Sequence, residues 1–128
     1  MVGGEGVKFT IPIAPVTKKN HQQIFVNRKT GKPFVTPSPQ YKQYQKDCGY
    51  FIRRPDTPIG YKVNVKAIYY MPTRRRVDLT NLHEALHDVL VHYGVVADDN
   101  SNIIHSTDGS YVDYDKENPR TEVEITKL

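Results

Sequence analysis

The strongest constraint on the fold is a strand-like segment followed closely by a helix-like one, within residues 61–92. Residues 61–71 alternate apolar and polar side chains, which is the two-residue period of a half-buried strand. Residues 80–92 place apolar side chains at helical spacing, and Gly94 follows where a helix commonly ends. Each segment has one apolar face to bury, so the pair indicates a domain that mixes helices and strands.

Shorter patterns lie on both sides of this pair. Residues 7–13 alternate well enough to form a strand, and residues 24–35 are typical of a hairpin with Gly31 near the turn. Ser38 before Pro39 predicts the start of a second helix that runs to about residue 52. Three short strands are expected near the end of the chain: residues 103–107, 111–114 and 121–126.

These elements predict a single α+β domain, with a small mixed sheet, two main helices and antiparallel neighbours joined by short turns. The domain is expected to cover residues 7–128, after a flexible leader over residues 1–6. Cys48 falls on the apolar stripe of the first helix, and we therefore expect a core residue there rather than a reactive thiol.

The charge distribution divides the chain in two. Residues 1–77 contain 15 Lys or Arg and three acids, a net charge of +12, whereas residues 78–128 contain three Lys or Arg and 11 acids, a net charge of −8. The first part suits a polyanion, and the second part would repel one unless metal ions neutralised it. Two oppositely charged faces that attract each other in a dimer are the alternative explanation.

Composition argues against membrane and disulfide-stabilised classes. No apolar run approaches the roughly 18 to 20 residues needed to span a bilayer, so no membrane insertion is expected. The first residues lack the apolar core of a signal peptide. The single cysteine cannot form a disulfide within the chain, and a cytoplasmic location is therefore expected.

A zinc-peptidase pattern, HEALH, lies in the second helix. His83 and His87 stand four residues apart and can share a zinc ion, while Glu84 between them can act as general base. The extended motif needs another histidine six residues after the second, and His92 is one residue short, roughly 100° away around the helix. His105 or a downstream acid could supply the third ligand, so a zinc peptidase stays open as an alternative.

Three aspartates at the ends of the same helix offer a different metal site. Asp78 precedes the helix, and Asp98 and Asp99 follow it. The helix rises about 18 Å, and an extended return over residues 94–99 covers about 16 Å, so an antiparallel return would bring the two ends together. A partner subunit that supplies one side is the other arrangement. Clustered carboxylates are the ligands magnesium prefers, although isolated aspartates more often form helix caps and polar turns.

Basic residues beside these acids are candidates for binding a phosphate backbone. Arg74, Arg75 and Arg76 come shortly before Asp78, and the loop after the first strand carries further lysines. Arginine and lysine side chains neutralise phosphates, and a metal ion would offset the repulsion between the acids and a phosphodiester. The DNA-binding candidates are Lys18, Lys19, Arg74, Arg75 and Arg76.

Four blocks of this sequence resemble the RusA-type endodeoxyribonucleases, Holliday junction resolvases often carried by phages and prophages. They are "IPIAPVTKKN", "TPSPQYKQYQKDC", "RRVDLTNLHEALHDVLVHYGVVADDNSNI" and "DGSYVDYDKENPRTEVEI", which together cover most of the chain. The resemblance implies an α+β fold in a close, intertwined homodimer. It also implies a magnesium-dependent site on each subunit, where Mn²⁺ can substitute, and paired symmetric nicks across a four-way DNA junction.

The resemblance also assigns roles to individual residues. The family motif reads D-x-D-N, then a lysine three residues later, then a D-D pair beyond the helix. Asp78 matches the first aspartate and Asn81 the asparagine. Asp99 matches the essential member of the later pair, with Asp98 beside it.

Two positions depart from the family motif. Thr80 replaces the second aspartate, and Glu84 replaces the lysine. Glu84 lies one helical turn after Thr80 and would restore the carboxylate count, while the threonine hydroxyl would orient a water or cap the helix. Arg76 or a loop lysine would replace the lost cation, which can stabilise charge in the transition state. When the sequence is aligned with the family motif in this way, the HEALH pattern is a coincidence.

The sequence therefore predicts a homodimeric, magnesium-dependent endonuclease that resolves four-way DNA junctions. The expected catalytic residues are Asp78, Asp98, Asp99 and Glu84, of which the three aspartates are the expected metal ligands. A DNA-binding protein of the same fold with weakened catalysis is the principal alternative, motivated by the two departures from the motif.

Overall fold

The computed structural model describes residues 6–18, 23–36 and 38–128. It confirms the α+β class, with a mixed five-stranded sheet and two helices. The elements in chain order are β1 (Gly6–Ile11), β2 (Gln23–Val26), β3 (Pro33–Thr36), α1 (Pro39–Cys48), β4 (Val63–Met71), α2 (Leu79–His92), β5 (Ile104–Ser106), β6 (Tyr111–Tyr114) and β7 (Arg120–Lys127).

Strand β4 is the centre of the sheet. On one side it pairs antiparallel with β7, which in turn pairs antiparallel with β1. On the other side it pairs in parallel with β5 near its beginning and with β6 near its end. Strands β2 and β3 form a separate antiparallel hairpin, as the sequence predicts.

The expectation of antiparallel neighbours is wrong for β5 and β6. Both follow α2, which carries the chain from the end of β4 back toward its beginning. A strand that enters the sheet after such a crossover runs in the same direction as the strand before it. The short lengths of β5 and β6 leave no sequence pattern that would reveal this direction.

The core lies between one face of the sheet and the two helices. Val63, Val65, Ala67 and Tyr69 on β4 are buried, and the alternate residues are partly exposed, as expected of a strand with one covered face. Leu82, Leu86, Val89 and Leu90 form the buried stripe of α2. Within the described ranges, no helix combines the length and the apolar character needed to cross a bilayer.

Helix α1 begins where its sequence predicts, but it ends at Cys48, four residues before the predicted end near residue 52, because the chain continues in tight turns such as the Phe51 N–H to Cys48 carbonyl bond. The backbone N–H of Tyr41 donates to the Ser38 side-chain oxygen at 3.0 Å, and Pro39 occupies the first turn. Cys48 at its end is fully buried, which raises the pKa of its thiol to about 12. The prediction of a core cysteine is confirmed, and a thiol of this kind is not a nucleophile at neutral pH.

Polar contacts join the two helices. The Tyr41 hydroxyl of α1 donates to the Asp88 carboxylate of α2, and the Gln45 side-chain amide donates to the same carboxylate at 3.2 Å. The Tyr93 hydroxyl at the end of α2 donates to the Gln45 carbonyl at 2.6 Å. Because these bonds tie α2 to α1 while its apolar stripe packs on the sheet, α2 is held at a fixed position.

The segment after α2 turns toward the residues that precede β4. Gly94 has a positive φ of 73°, and the Val95 N–H donates to the Leu90 carbonyl at 2.9 Å. The Ile59 N–H then donates to the Val95 carbonyl at 3.0 Å, and the Ala97 N–H donates to the Ile59 carbonyl at 2.9 Å. Residues 95–97 therefore lie beside the start of β4.

We predict that Leu86→Ala lowers the free energy of unfolding by about 2 to 5 kcal/mol, because the truncation leaves a cavity between α2 and the sheet. Val26→Ala is the matched control, since the Val26 side chain is 61% exposed and its change should cost under about 0.5 kcal/mol. Urea denaturation followed by circular dichroism measures both. Equal effects of the two changes would contradict this packing.

Candidate functional site

Asp78 stands at the N-terminus of α2 with its carboxylate turned outward. The residue is the N-cap of the helix, yet its side chain makes no capping hydrogen bond. Its neighbours Val77 and Leu79 pack against the core, which fixes the backbone between them. The Asn81 side-chain amide donates to the Asp78 carboxylate at 3.3 Å. This exposed and weakly engaged carboxylate is available to a ligand.

Thr80 and Glu84 lie on the exposed surface of α2. They are four residues apart, and positions with this spacing on a helix are neighbours. Glu84 lies about 9 Å beyond Asp78 along the helix axis. The two departures from the family motif therefore share one face of α2, where Glu84 adds an exposed carboxylate.

Asp98 and Asp99 belong to a polar turn after α2, where both are exposed. The two Asp98 carboxylate oxygens accept from the Asp99 N–H at 2.7 Å and from the Asn100 side-chain amide at 3.0 Å. The Asn100 carbonyl in turn accepts from the N–H groups of Ile103 and Ile104. Asp98 therefore shapes the turn, and Asp99 presents the less engaged carboxylate.

One chain does not gather these acids into a single cluster. Asp78 and the Asp98–Asp99 pair lie at opposite ends of α2, whose 14 residues span about 20 Å. The expected antiparallel return along the helix is not formed, because residues 95–97 pair with Ile59 instead. In the part of the chain that the structure describes, no group of three or more His, Cys, Asp or Glu residues could hold a metal ion.

The donor chemistry still suits a hard divalent cation. The exposed groups at both ends of α2 are carboxylates, which magnesium accepts in combination with waters and phosphate oxygens. Among the described residues of one chain, the two sets of carboxylates do not converge.

The predicted basic residues fall into two groups. Arg74, Arg75 and Arg76 are exposed in the connection between β4 and α2, directly before Asp78. The Lys18 ammonium lies 3.7 Å from the Asp88 carboxylate, so part of its charge is already neutralised. The predicted DNA contact at Lys19 lies outside the described residues.

The two histidines of the HEALH pattern do not converge on a common point. Their rings are nearly parallel, at 8°, with centroids 5.4 Å apart, so the in-plane lone pairs of their nitrogens lie in two separate planes. The Nδ1 atom of His83 lies 2.7 Å from the Tyr69 hydroxyl. Glu84 is exposed, whereas His83 is buried. This geometry gives no support to a zinc peptidase, which needs convergent ring nitrogens.

Sequence reasoning missed two contacts that shape the site. The Tyr114 ring lies under the Arg74 guanidinium, 4.1 Å from its centre, and Asp88 binds Lys18 and Tyr41. The sequence shows the tyrosines of the segment "YVDY", but the position of Tyr114 beside Arg74 follows from the parallel pairing of β6 with β4. The sequence alone carried no indication of that pairing.

Comparison with known proteins gives one family match. The family model described as Endodeoxyribonuclease RusA matches residues 12–126, which is nearly the whole chain. No curated protein matches the chain. The matched range contains β4, α2 and the acidic residues at both ends of α2.

We predict that acid destabilises the protein through His87. Burial, and then the neighbouring His83, lowers the pKa of His87 from 6.5 to about 4. The unfolded chain therefore binds a proton at a higher pH than the folded chain, and the free energy of unfolding falls between about pH 6.5 and about pH 4. Urea denaturation at several pH values across this window measures the fall.

His87→Leu should make this pH dependence shallower, because it removes one titrating group. His105→Leu is the matched control, since that imidazole is exposed on β5. If His87→Leu kept the full pH dependence of the unmodified protein, the buried imidazole would not be its source.

Proposed function

Because the chain belongs to the RusA endodeoxyribonuclease family, we propose that it is a divalent-metal-dependent endonuclease that resolves four-way DNA junctions by paired nicks. The observation that carries this proposal is the family match over residues 12–126, combined with exposed carboxylates at both ends of α2. The basic residues before Asp78 support a DNA substrate, since arginine pairs with phosphates. We propose the cytoplasm as the location.

We further propose that a homodimer completes each active site. The two sets of acids are separated by the length of α2, about 20 Å. A two-fold axis perpendicular to α2, passing beside the midpoint of the helix, would place the N-terminus of one helix beside the C-terminus of the other. Each site would then combine Asp78 of one subunit with the partner subunit's Asp98 and Asp99. The dimer would carry two equivalent sites, which suits a branched substrate with symmetry-related strands.

In this arrangement, Asp78 and the partner subunit's Asp99 would hold Mg²⁺, with Asp98 maintaining the turn. A bound divalent ion neutralises charge at the scissile phosphate and helps to activate water. Asn81 orients the Asp78 carboxylate through the hydrogen bond described above. Glu84, on the exposed face of α2, would accept a proton from the attacking water, and Arg76 would stabilise charge that develops on the phosphate.

Asp78→Asn should reduce nicking of a synthetic four-way junction on the order of 100-fold or more, because it removes a charged ligand while keeping the side-chain size. Asp108→Asn, an exposed change in the turn before β6, is the matched control and should retain activity. The assay uses Mg²⁺ or Mn²⁺ and follows both nicks. Unchanged cleavage by the Asp78→Asn protein would contradict the proposed site.

The weakened-catalysis alternative gives a different outcome in the same assay. Thr80 and Glu84 stand where the family motif has aspartate and lysine. A protein that binds the junction and never nicks it, in either metal, would favour that alternative. Restoration of nicking by Thr80→Asp would then identify the missing carboxylate as the cause.

Mixing two inactive variants tests whether subunits share each site. A heterodimer of Asp78→Asn and Asp99→Asn subunits would contain one site with both changes and one site with neither. We therefore predict that the mixture, after subunit exchange, recovers single nicks but not paired ones. Sites built within one chain would leave both sites of the heterodimer defective, so a mixture without recovered nicking would contradict the shared arrangement.

Each variant alone is the baseline for this experiment. The Asp108→Asn subunit mixed with Asp78→Asn controls for exchange. Exchange converts active Asp108→Asn homodimers into heterodimers with one intact site in either arrangement, so paired nicks should fall and single nicks should rise. This shift in the control mixture, without recovered nicking in the test mixture, would assign each site to a single chain.

A further inference from the structure

Two arginines of this protein stack on tyrosine rings at the same end of the sheet. The Arg120 guanidinium lies 3.7 Å from the centre of the Tyr70 ring, and the Arg74 guanidinium lies 4.1 Å from the centre of the Tyr114 ring. An arginine that stacks on an aromatic ring in this way gains cation–π attraction and loses rotational freedom. The two stacks differ in what happens to the N–H groups of the arginine.

Arg120 uses its N–H groups within the protein. It donates to the Asp115 carboxylate and to the Asn118 carbonyl, both at 2.9 Å, and to the Glu122 carboxylate at 3.0 Å. With two acidic partners and three hydrogen bonds, Arg120 holds the turn between β6 and β7. This stack is structural.

Arg74 has the same stacking contact without those partners. Within the described ranges it forms no ion pair, and its side chain is exposed. Stacking occupies the face of the guanidinium and leaves its N–H edge available. A flat cation with a free N–H edge binds a phosphate through two parallel hydrogen bonds.

The surroundings of Arg74 fit an extended polyanion. A groove of about 230 Å³ opens between the end of β4, the connection to α2 and β6, and its lining includes Thr73, Arg75 and Val112. Asp113 also lines it, but one oxygen of that carboxylate accepts from the Tyr114 N–H at 2.8 Å. Two arginines thus face a groove with one partly engaged acid.

The groove also lies within reach of the proposed cleavage site. Arg74 precedes Asp78 by four residues, which span at most about 14 Å of chain. One DNA strand advances 3.4 Å per nucleotide along the helix axis, so this span corresponds to at most about four nucleotides. A strand bound at Asp78 is therefore long enough to reach the groove.

We propose that Tyr114 is a positioning residue that presents Arg74 to a backbone phosphate of the strand near the cleavage site. This inference rests on the proposed nuclease function and adds to it one phosphate contact and the residue that orients it. Arg74 makes the contact, and Tyr114 acts only through Arg74. The ligand is a phosphodiester, so the contact serves any base sequence.

The test measures binding of a fluorescent four-way junction in EDTA at several salt concentrations, so that cleavage plays no part. Arg74→Ala should weaken binding and reduce the log-log salt slope by about 0.9, because one phosphate contact is lost. Tyr114→Leu should weaken binding roughly 2- to 5-fold, the value of an exposed cation–π contact, and leave the slope unchanged because the charge remains. Tyr114→Phe keeps the ring and should bind as the unmodified protein does.

Tyr111→Leu is the matched control for Tyr114→Leu. Tyr111 is a 46% exposed tyrosine on the same strand that does not stack on Arg74, and its change should leave the affinity unaltered. The double variant Tyr114→Leu/Arg74→Ala should bind no more weakly than Arg74→Ala, since both changes remove one contact. Arg74→Lys, which keeps the charge and loses the planar stack, should match Tyr114→Leu and provides a second measurement should that variant fold poorly.

Several results would overturn the inference. Affinity unchanged by Tyr114→Leu, or losses from Tyr114 and Arg74 that add fully in the double variant, would remove Tyr114 from this role. A lower unfolding midpoint with unchanged affinity would make the stack purely structural. Junction binding without nicking in Mg²⁺ would contradict the proposed nuclease activity but not the phosphate contact of Arg74. Nicking by the unmodified protein, with junction affinity unchanged by Tyr114→Leu and Arg74→Lys, would contradict only the phosphate contact.

Discussion

The packing of α2 along β4 is the constraint on which the rest of the structure depends. The buried stripe of α2 fixes the helix on one face of the sheet, and the bonds of Asp88 to Tyr41 and Gln45 fix it against α1. A helix held in this way acts as a rigid spacer. It keeps Asp78 at one end and the Asp98–Asp99 turn at the other, about 20 Å apart.

The charged residues are arranged around this spacing. Within the ranges that the structure describes, neither end of α2 gathers three or more His, Cys, Asp or Glu side chains that could hold a metal ion, and the connection before α2 carries three arginines. In the proposed dimer the two acidic ends would meet beside the arginines, where an ion and a phosphate group would balance their charges. Of the two arginines that stack on tyrosine rings, Arg120 donates its N–H groups within the fold, whereas we propose that Arg74 binds a backbone phosphate.

The secondary structure of long, periodic segments was predictable from the sequence, because several apolar side chains in each segment mark the same buried face. Strand β4 and helix α2 begin and end within two residues of the sequence prediction, and the burial of Cys48 follows from its helical position. The directions of β5 and β6 were not predictable, since a strand of three or four residues is too short for its sequence to indicate which strand it pairs with. The parallel pairing of β6 in turn places Tyr114 beside Arg74.

The sequence names candidate site residues, which stay a prediction, but it does not give their arrangement. The motif indicates Asp78 and Asp99, whereas their separation depends on hydrogen bonds between residues 95–97 and Ile59 that no local pattern encodes. Lys18 illustrates the same limit. Its charge predicts a DNA contact, which stays a prediction, but nothing in the sequence indicates that its ammonium lies 3.7 Å from the Asp88 carboxylate.

The most direct measurement is a crystal structure of the protein with Mn²⁺, whose anomalous scattering locates the ion. We expect a two-fold dimer in which Asp78 and the partner subunit's Asp99 both lie within about 2.5 Å of one ion, as carboxylate ligands of a hard cation do. An ion bound by one of these residues alone, or a dimer that leaves residues 78 and 99 apart in every combination of chains, would rule out the shared metal site.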